Sequence, residues 1–483
     1  MAIKRLELDT DQKALEINLD ENIYGTFAEI GAGQEVARYF FKVGAAAGTI
    51  AKSMSAYDKK VSDDIYGIEP SGRYVCQPRL YKMLDHEYAL NIKRLRADRP
   101  EARLFAFADT VAAINYSRTI KGNGWLGIRF QIKPDKEPNE IVLHVRMKDR
   151  NTPLQQQAIG VLGVNLVYAA YNYYRDPETM IVSLMDNLNG RIAIDLVKLK
   201  GPEFEAVDGR LTALWLVKNN MTEVAMFDCF GQGIHASEFL YKKEVMIVRG
   251  NYRPTTNVHV DLMEAGFKQF CEEKEVDESK AKLLAEITLE NLGKANAKID
   301  EKDFLDRAEI LCAMGKTVVI TNCDKFNKLI SYLSTYKVKH LGVVFGIRQL
   351  VELINQLYYQ NKDDALLYAF GQIFHRNFFV YAYPAEQHNP VDGKKTTDEL
   401  ATIKNMTIPK GVHFLVKHLI ESKQIIDMKY YKPEVLHIYA SRVLSMIKTG
   451  EDGWEKLVPA EAAQIIKEKN LFDYQAQQLR FEV

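Results

Sequence analysis

The chain reads as an α/β protein: a mostly parallel, doubly wound central sheet, an N-terminal α+β domain and a C-terminal helical extension. Two observations predict this. From about residue 180, apolar runs of about five residues alternate with amphipathic helical segments, the rhythm of a parallel sheet covered on both faces. Before that point the pattern is mixed and includes an antiparallel hairpin. At 483 residues the chain is too long for one ordinary core, so several domains are expected, at 1–175, 176–384 and 385–483.

In the first domain, Gln34 to Val43 reads as a short helix and Pro78 to Arg96 as a longer one with a charged face. Trp125 to Lys133 and Glu140 to Arg146 alternate in strand fashion around a loop bracketed by Pro134 and Pro138, which predicts a β-hairpin. Thr152-Pro153 opens a long apolar helix to about Tyr174, with proline in the favoured first turn.

In the second domain the predicted strands are Arg191 to Leu199, Val224 to Asp228, Glu244 to Val248, Thr317 to Thr321, Leu341 to Phe345 and Phe378 to Tyr383. Between them lie helices at Asp208 to Asn219, Asn257 to Glu273, Asp303 to Met314, Lys325 to Thr335 and Ile347 to Tyr359. Ser279 to Leu292 reads as a charged helical insertion. A polar segment, Pro384 to Glu399, leads to C-terminal helices at Gly411 to Ser422, Pro433 to Lys448 and Pro459 to Lys467.

Composition excludes several classes. Basic and acidic residues balance at 64 each, so bulk charge recruits neither nucleic acid nor anionic lipid. No uncharged apolar run reaches the roughly 18 residues of a membrane span, and the N-terminus lacks a signal-peptide core. The five cysteines are widely spaced without a C-x-x-C pair. A reduced, cytoplasmic protein without a zinc ribbon is expected.

The most informative stretch is 245–263. An apolar strand ends at Arg249, Gly250 begins a turn, and a helix opens on Thr256 with His259 in its first turn. Backbone donors and the positive end of a helix dipole suit phosphate there. Gly250 would allow close approach, and Thr256 and His259, three apart, share one side of the first turn. Asn257 would cap the helix or touch a ligand, and Lys242, Lys243 or Arg249 would add positive charge. The bland alternative is a plain strand-to-helix turn capped by Thr256.

The same run resembles the nucleotide-binding signature of the nicotinamide/nicotinate mononucleotide adenylyltransferases: strand, Gly-Ser-Phe-Asn-Pro, then Thr-Asn-Met-His. It is also similar to long bacterial proteins of uncertain role that carry this label. The resemblance implies AMP transfer from ATP, with Mg²⁺, to a mononucleotide. It implies catalytic roles for His259 and Thr256 and nucleotide contacts from Gly250, Asn251, Tyr252, Arg253 and Asn257. The partner would be a nucleotide or phosphorylated small molecule. Asn251, Tyr252 and Arg253 stand where the signature has Ser, Phe and Asn. The family's second signature, Ser/Thr-Thr-x-x-Arg, has its nearest counterpart at Ser334 to Lys339, without the arginine. That gap and the tyrosine-rich helices motivate the alternative, a non-catalytic, self-assembling scaffold.

A second run, Thr26 to Glu35, resembles the Glu-Ile-Gly-x-Gly turn of S-adenosylmethionine-dependent methyltransferases; a tight glycine turn is the better account of it. Asp186, Asp195 and Asp208 are carboxylates near strand ends that could hold Mg²⁺, whereas the histidines are dispersed. His413 and His418 sit five apart on one helix, so no metal centre is expected.

Overall fold

A computed structural model describes residues 5–293, 299–323, 326–360, 366–374, 377–387, 397 and 399–475. The chain is α/β and divides into two compact units, Met1–Ala225 and Met226–Val483.

The first unit is built on a six-stranded sheet ordered β2-β1-β3-β4-β5-β6. Its strands are β1 (Ile23–Gly31), β2 (Ile50–Ala56), β3 (Arg103–Ala112), β4 (Asn123–Phe130), β5 (Asn139–Met147) and β6 (Ile192–Lys200). The first three are mutually parallel, and the rest continue antiparallel from β3. The expected hairpin is β4–β5, in register from Asn123↔Arg146 to Phe130↔Asn139. On one face, Phe27, Phe105 and Phe107 pack with Phe40 of α2 (Val36–Lys42). The predicted apolar helix, α5 (Thr152–Asn172), is buried along most of its length, including Tyr168 and Tyr171. The opposite face holds Ala28, Ile30, Ala108 and Trp125 with Leu80, Met83 and Leu84 of α4 (Gln77–Leu95).

The expected boundary at residue 175 falls inside this unit, because β6 pairs with β5. The parallel strands β1, β2 and β3 were not legible in the sequence. Their pairings join segments up to 80 residues apart, as in Ile23↔Arg103, and periodicity carries no trace of such partners.

The second unit carries a seven-stranded sheet ordered β13-β12-β11-β8-β9-β10-β7. Its strands are β7 (Val224–Phe227), β8 (Glu244–Arg249), β9 (Ala281–Thr288), β10 (Thr317–Thr321), β11 (His340–Gly346), β12 (Phe378–Tyr383) and β13 (Ile425–Asp427). From β13 through to β10 every neighbouring pair is parallel. The chain winds outward from β8 through β9 to β10, then restarts at β11 on the other side of β8. That is the doubly wound arrangement the rhythm predicts.

Two expectations are corrected here. The charged segment read as a helix from Ser279 to Leu292 contains β9, a central strand, because its one buried charge, Glu286, is matched by neighbours in the sheet. The C-terminal region is not only helical, since β13 extends the sheet. Its helices α15 (Ala440–Thr449) and α16 (Ala460–Lys469) form an apolar cluster around Trp454, Ile447 and Ile466 that also takes in Ile310. The polar segment 388–396 and two of the dispersed histidines, His375 and His388, lie outside the described residues.

Candidate functional site at the carboxyl edge of the second sheet

The run 245–263 folds as expected: buried β8, a turn, then α9 (Asn257–Glu273) with Thr256 as its N-cap. Where the side chains go is less expected. Tyr252 adopts φ +48 and is fully buried. Its hydroxyl donates to the Val248 carbonyl at 2.6 Å, so the ring folds back over the turn. A Cβ on Gly250 would lie 2.7 Å from that ring. Glycine is therefore needed here to admit Tyr252. The Gly250 amide itself donates to the Glu286 carbonyl at 3.1 Å.

His259 also turns inward. Its Nδ1 accepts the Thr256 backbone N–H at 3.1 Å, with Thr256 Oγ1 at 2.9 Å, and its ring lies 5.2 Å from that of Tyr252. An accepting Nδ1 places the remaining proton of the neutral ring on Nε2. Burial pushes the imidazole pKa down to about 4, so it is uncharged at neutral pH. Asn257 donates to the Lys456 carbonyl at 2.9 Å.

Charged groups converge beside this turn instead. Arg249 makes a two-pronged contact with the buried Glu286 at 2.9 and 2.7 Å, and Thr321 Oγ1 donates to the same carboxylate at 2.7 Å. On α10 (Glu301–Ala313), Asp303 receives Arg253 Nε at 2.5 Å and Arg307 Nε at 2.8 Å. Arg307 is buried, and its Nη1 donates to the carbonyls of Asn251 and Asn291 and to Asn251 Oδ1 at 2.9–3.0 Å. Desolvation lowers its pKa, with Arg253 opposing the charge and Asp303 supporting it.

A cavity of about 1040 Å³ opens over these groups, lined among others by Arg253, Thr288, Asn291, Asp303, Arg307, Thr321 and Gln356. It sits where β9 and β10 end, the position at which doubly wound sheets take ligands. Of the residues singled out in the sequence, Arg253 lines it; Gly250, Asn251, Tyr252, Thr256, Asn257 and His259 do not. Sequence reasoning missed Asp303, Arg307, Thr288 and Thr321. The spacing of Asp303 and Arg307 matches an ordinary solvated helix pair, so no local signal separates them.

The three aspartates weighed for Mg²⁺ are engaged separately. Asp186 pairs with Arg5 and Lys13, Asp195 with His144 and Arg146, and Asp208 caps α7 (Gly209–Lys218) and binds Arg210.

No family model matches the chain, and no curated protein matches it. Among solved structures it is similar to the competence/damage inducible protein CihA from Agrobacterium tumefaciens, at 16% identity and a TM-score of 0.26, over 35% of this chain and 99% of that one. It is also similar to a competence-damaged protein (CinA) superfamily protein from Klebsiella pneumoniae, at 12% identity and a TM-score of 0.26, covering 33% of this chain and 96% of that one. Another CinA superfamily protein, from Enterobacter cloacae, gives 12% identity and a TM-score of 0.25, with 35% and 98% covered. Likeness at this level says nothing of activity. No helix among the described residues is long and apolar enough to cross a membrane.

Proposed function

We propose that the second unit binds a nucleotide or related phosphorylated small molecule in the cavity at the carboxyl ends of β9 and β10, and that the protein works in the cytoplasm. The single observation that carries this reading is the Arg253 side chain, 38% exposed, lining a cavity floored by hydroxyls and amides. A guanidinium with donors to spare is suited to phosphate, and Thr288, Thr321 and Asn291 can serve sugar or base groups.

Adenylyl transfer from ATP with Mg²⁺ is the finer form of the reading. It needs His259 to meet the transferring phosphate through Nε2–H, since Nδ1 is engaged by Thr256. That engagement favours binding as the main role and Arg253 as the ligand contact.

Calorimetry with Mg-ATP and with nicotinate mononucleotide tests both forms. Native protein is expected to bind one of them, with affinity reduced about tenfold or more in Arg253→Ala, the loss typical of a charge-assisted hydrogen bond. Silence at millimolar ligand ends the binding reading. Pyrophosphate release that vanishes in His259→Gln supports transfer; equal background output from both proteins removes it.

A second reading, self-association, is favoured by large apolar side chains left in water: Phe414 at 82%, Leu367 at 75% and Tyr368 at 69% exposed. Light scattering after size exclusion measures it directly, and a monomer at high concentration rules it out.

A further inference from the structure

The first unit holds a buried acid pair that nothing in its packing explains. Glu29 of β1 and Asp109 of β3 are register partners on adjacent parallel strands. Side by side at about 4.8 Å strand spacing, they project from the same face of the sheet, the one that carries Phe27 and Phe107. Asp109 is fully buried, and neither of its carboxyl oxygens has a partner at ordinary hydrogen-bond geometry among the described residues. The Ile30 amide favours the ionised form, but less than burial and the neighbouring Glu29 oppose it. A bare carboxylate at such a site is costly, and its usual escape is to hold a proton.

The pair lies under the turn that leads from β1 into α2. A Cβ at Gly33 would fall 1.8 Å from Asp109 Oδ1, so the backbone of this turn rests on the acid. Glu29 Oε1 in turn accepts the amides of Val36 at 2.8 Å and Ala37 at 3.3 Å, tying down the start of α2. Asp109 thus lies against the middle of the turn 31–35, and Glu29 holds the start of the helix that follows it.

We propose that Glu29 and Asp109 share a proton and form a latch on this turn, closed while the proton is present and released when it is lost. Across the sheet, Glu29 faces Ser55 of β2 and Asp109 faces Leu126 of β4, neither ionisable. From α5, two glycines, neither ionisable, meet this part of the chain: Gly160 packs against Glu35 and Tyr39, and Gly163 against Val36. The remaining charge acting on the pair is Glu35, also negative; no lysine, arginine or histidine is among the groups that act on it. Burial raises Glu29 to about 7, and burial together with Glu29 raises Asp109 well above the ordinary carboxylate range.

The direction of the pH effect follows. The pair keeps its shared proton in the folded protein at pH values where both carboxyls of the unfolded chain have lost theirs. Stability is therefore greatest at acid pH and falls as pH rises from the ordinary carboxylate range through about 7 and beyond. Full ionisation places two negative charges in one dry site, directly against the backbone of the turn at Gly33.

Infrared difference spectroscopy on the whole chain tests the proposal. The native protein at pH 7 is expected to show the carbonyl band of a protonated carboxylic acid that Asp109→Asn lacks. Raising the pH should remove the band and, in step with it, the hydrogen-exchange protection of the Ala32 and Glu35 amides, which bond the turn to Val111 and across Gly33, after correction for intrinsic rates. Asp109→Asn should flatten the fall of Tm between pH 5 and pH 9. A native protein without a protonated-acid band at pH 7 overturns the proposal, even if the variant fails to fold. So does a band whose loss leaves Ala32 and Glu35 as protected as before. A native Tm raised by Mg²⁺ or Mn²⁺ at pH 8, but not in Asp109→Asn, would also overturn it, by assigning the pair to a cation.

Discussion

His259 reaches back three residues to Thr256, its Nδ1 accepting the amide of the residue that caps its own helix at 3.1 Å. In a capping box the third helical position is normally Glu or Gln. An imidazole in that place spends the nitrogen lone pair that catalysis would otherwise use.

This pairing makes His259 separable into a structural and a chemical role. His259→Ala should cost about 1 kcal/mol of unfolding free energy, the usual price of a helix cap. His259→Gln keeps an acceptor at the same position and should recover most of that in denaturant melts. A Gln variant as unstable as the Ala variant would show that the cap is not what His259 contributes.

The same substitution removes a pH dependence. The folded-state pKa, about 4, lies below that of an unfolded histidine, so the unfolded chain binds a proton first as pH falls. The contribution is fully present above the unfolded value and is lost between about pH 6.5 and pH 4. Native protein should lose more stability over that window than His259→Gln. Parallel curves for the two proteins would contradict the desolvated, neutral imidazole.

Gly250→Ala places a methyl 2.7 Å from the ring of Tyr252, which is fixed at its far end by the bond to the Val248 carbonyl. The ring cannot swing away without breaking that bond. A cost of about 1–3 kcal/mol is expected, the range for an overpacked site. Recovery in the double variant Gly250→Ala, Tyr252→Ala is the diagnostic reading of a thermodynamic cycle. Additive losses would mean that the ring is not the obstacle.

Arg307→Met should destabilise the second unit by about 3 kcal/mol or more, because it leaves Asp303 with one cation and removes the donor to Asn251 and Asn291. Thermal melts check the magnitude, and ligand calorimetry in the same variant reports whether the cavity keeps its shape. A loss under about 0.5 kcal/mol would place Arg307 among ordinary surface ion pairs.

How much of this was readable beforehand depends on range. The strand at Glu244, the Thr256 cap and the span of α9 are set by neighbours within a few residues, and apolar periodicity shows them. The strand at Ala281 was hidden because Lys282 and Glu286 break its apolar run. Glu286 is tolerated there only because Arg249 and Thr321, 37 and 35 residues away, meet it across the sheet. Arg253 was singled out through the resemblance as a nucleotide contact, and it is the one member of that set that lines the cavity.

By itself the sequence determined the α/β class, the long apolar helix, the β4–β5 hairpin and the strand–turn–helix at Gly250, all products of local propensity and repeat. Tertiary structure alone decided that Tyr252 fills the turn, that His259 faces its own cap, and that Glu29 and Asp109 meet in a dry layer. Those outcomes depend on which distant segments pack together, and burial, the term that moves a proton or hides a donor, exists only once they do.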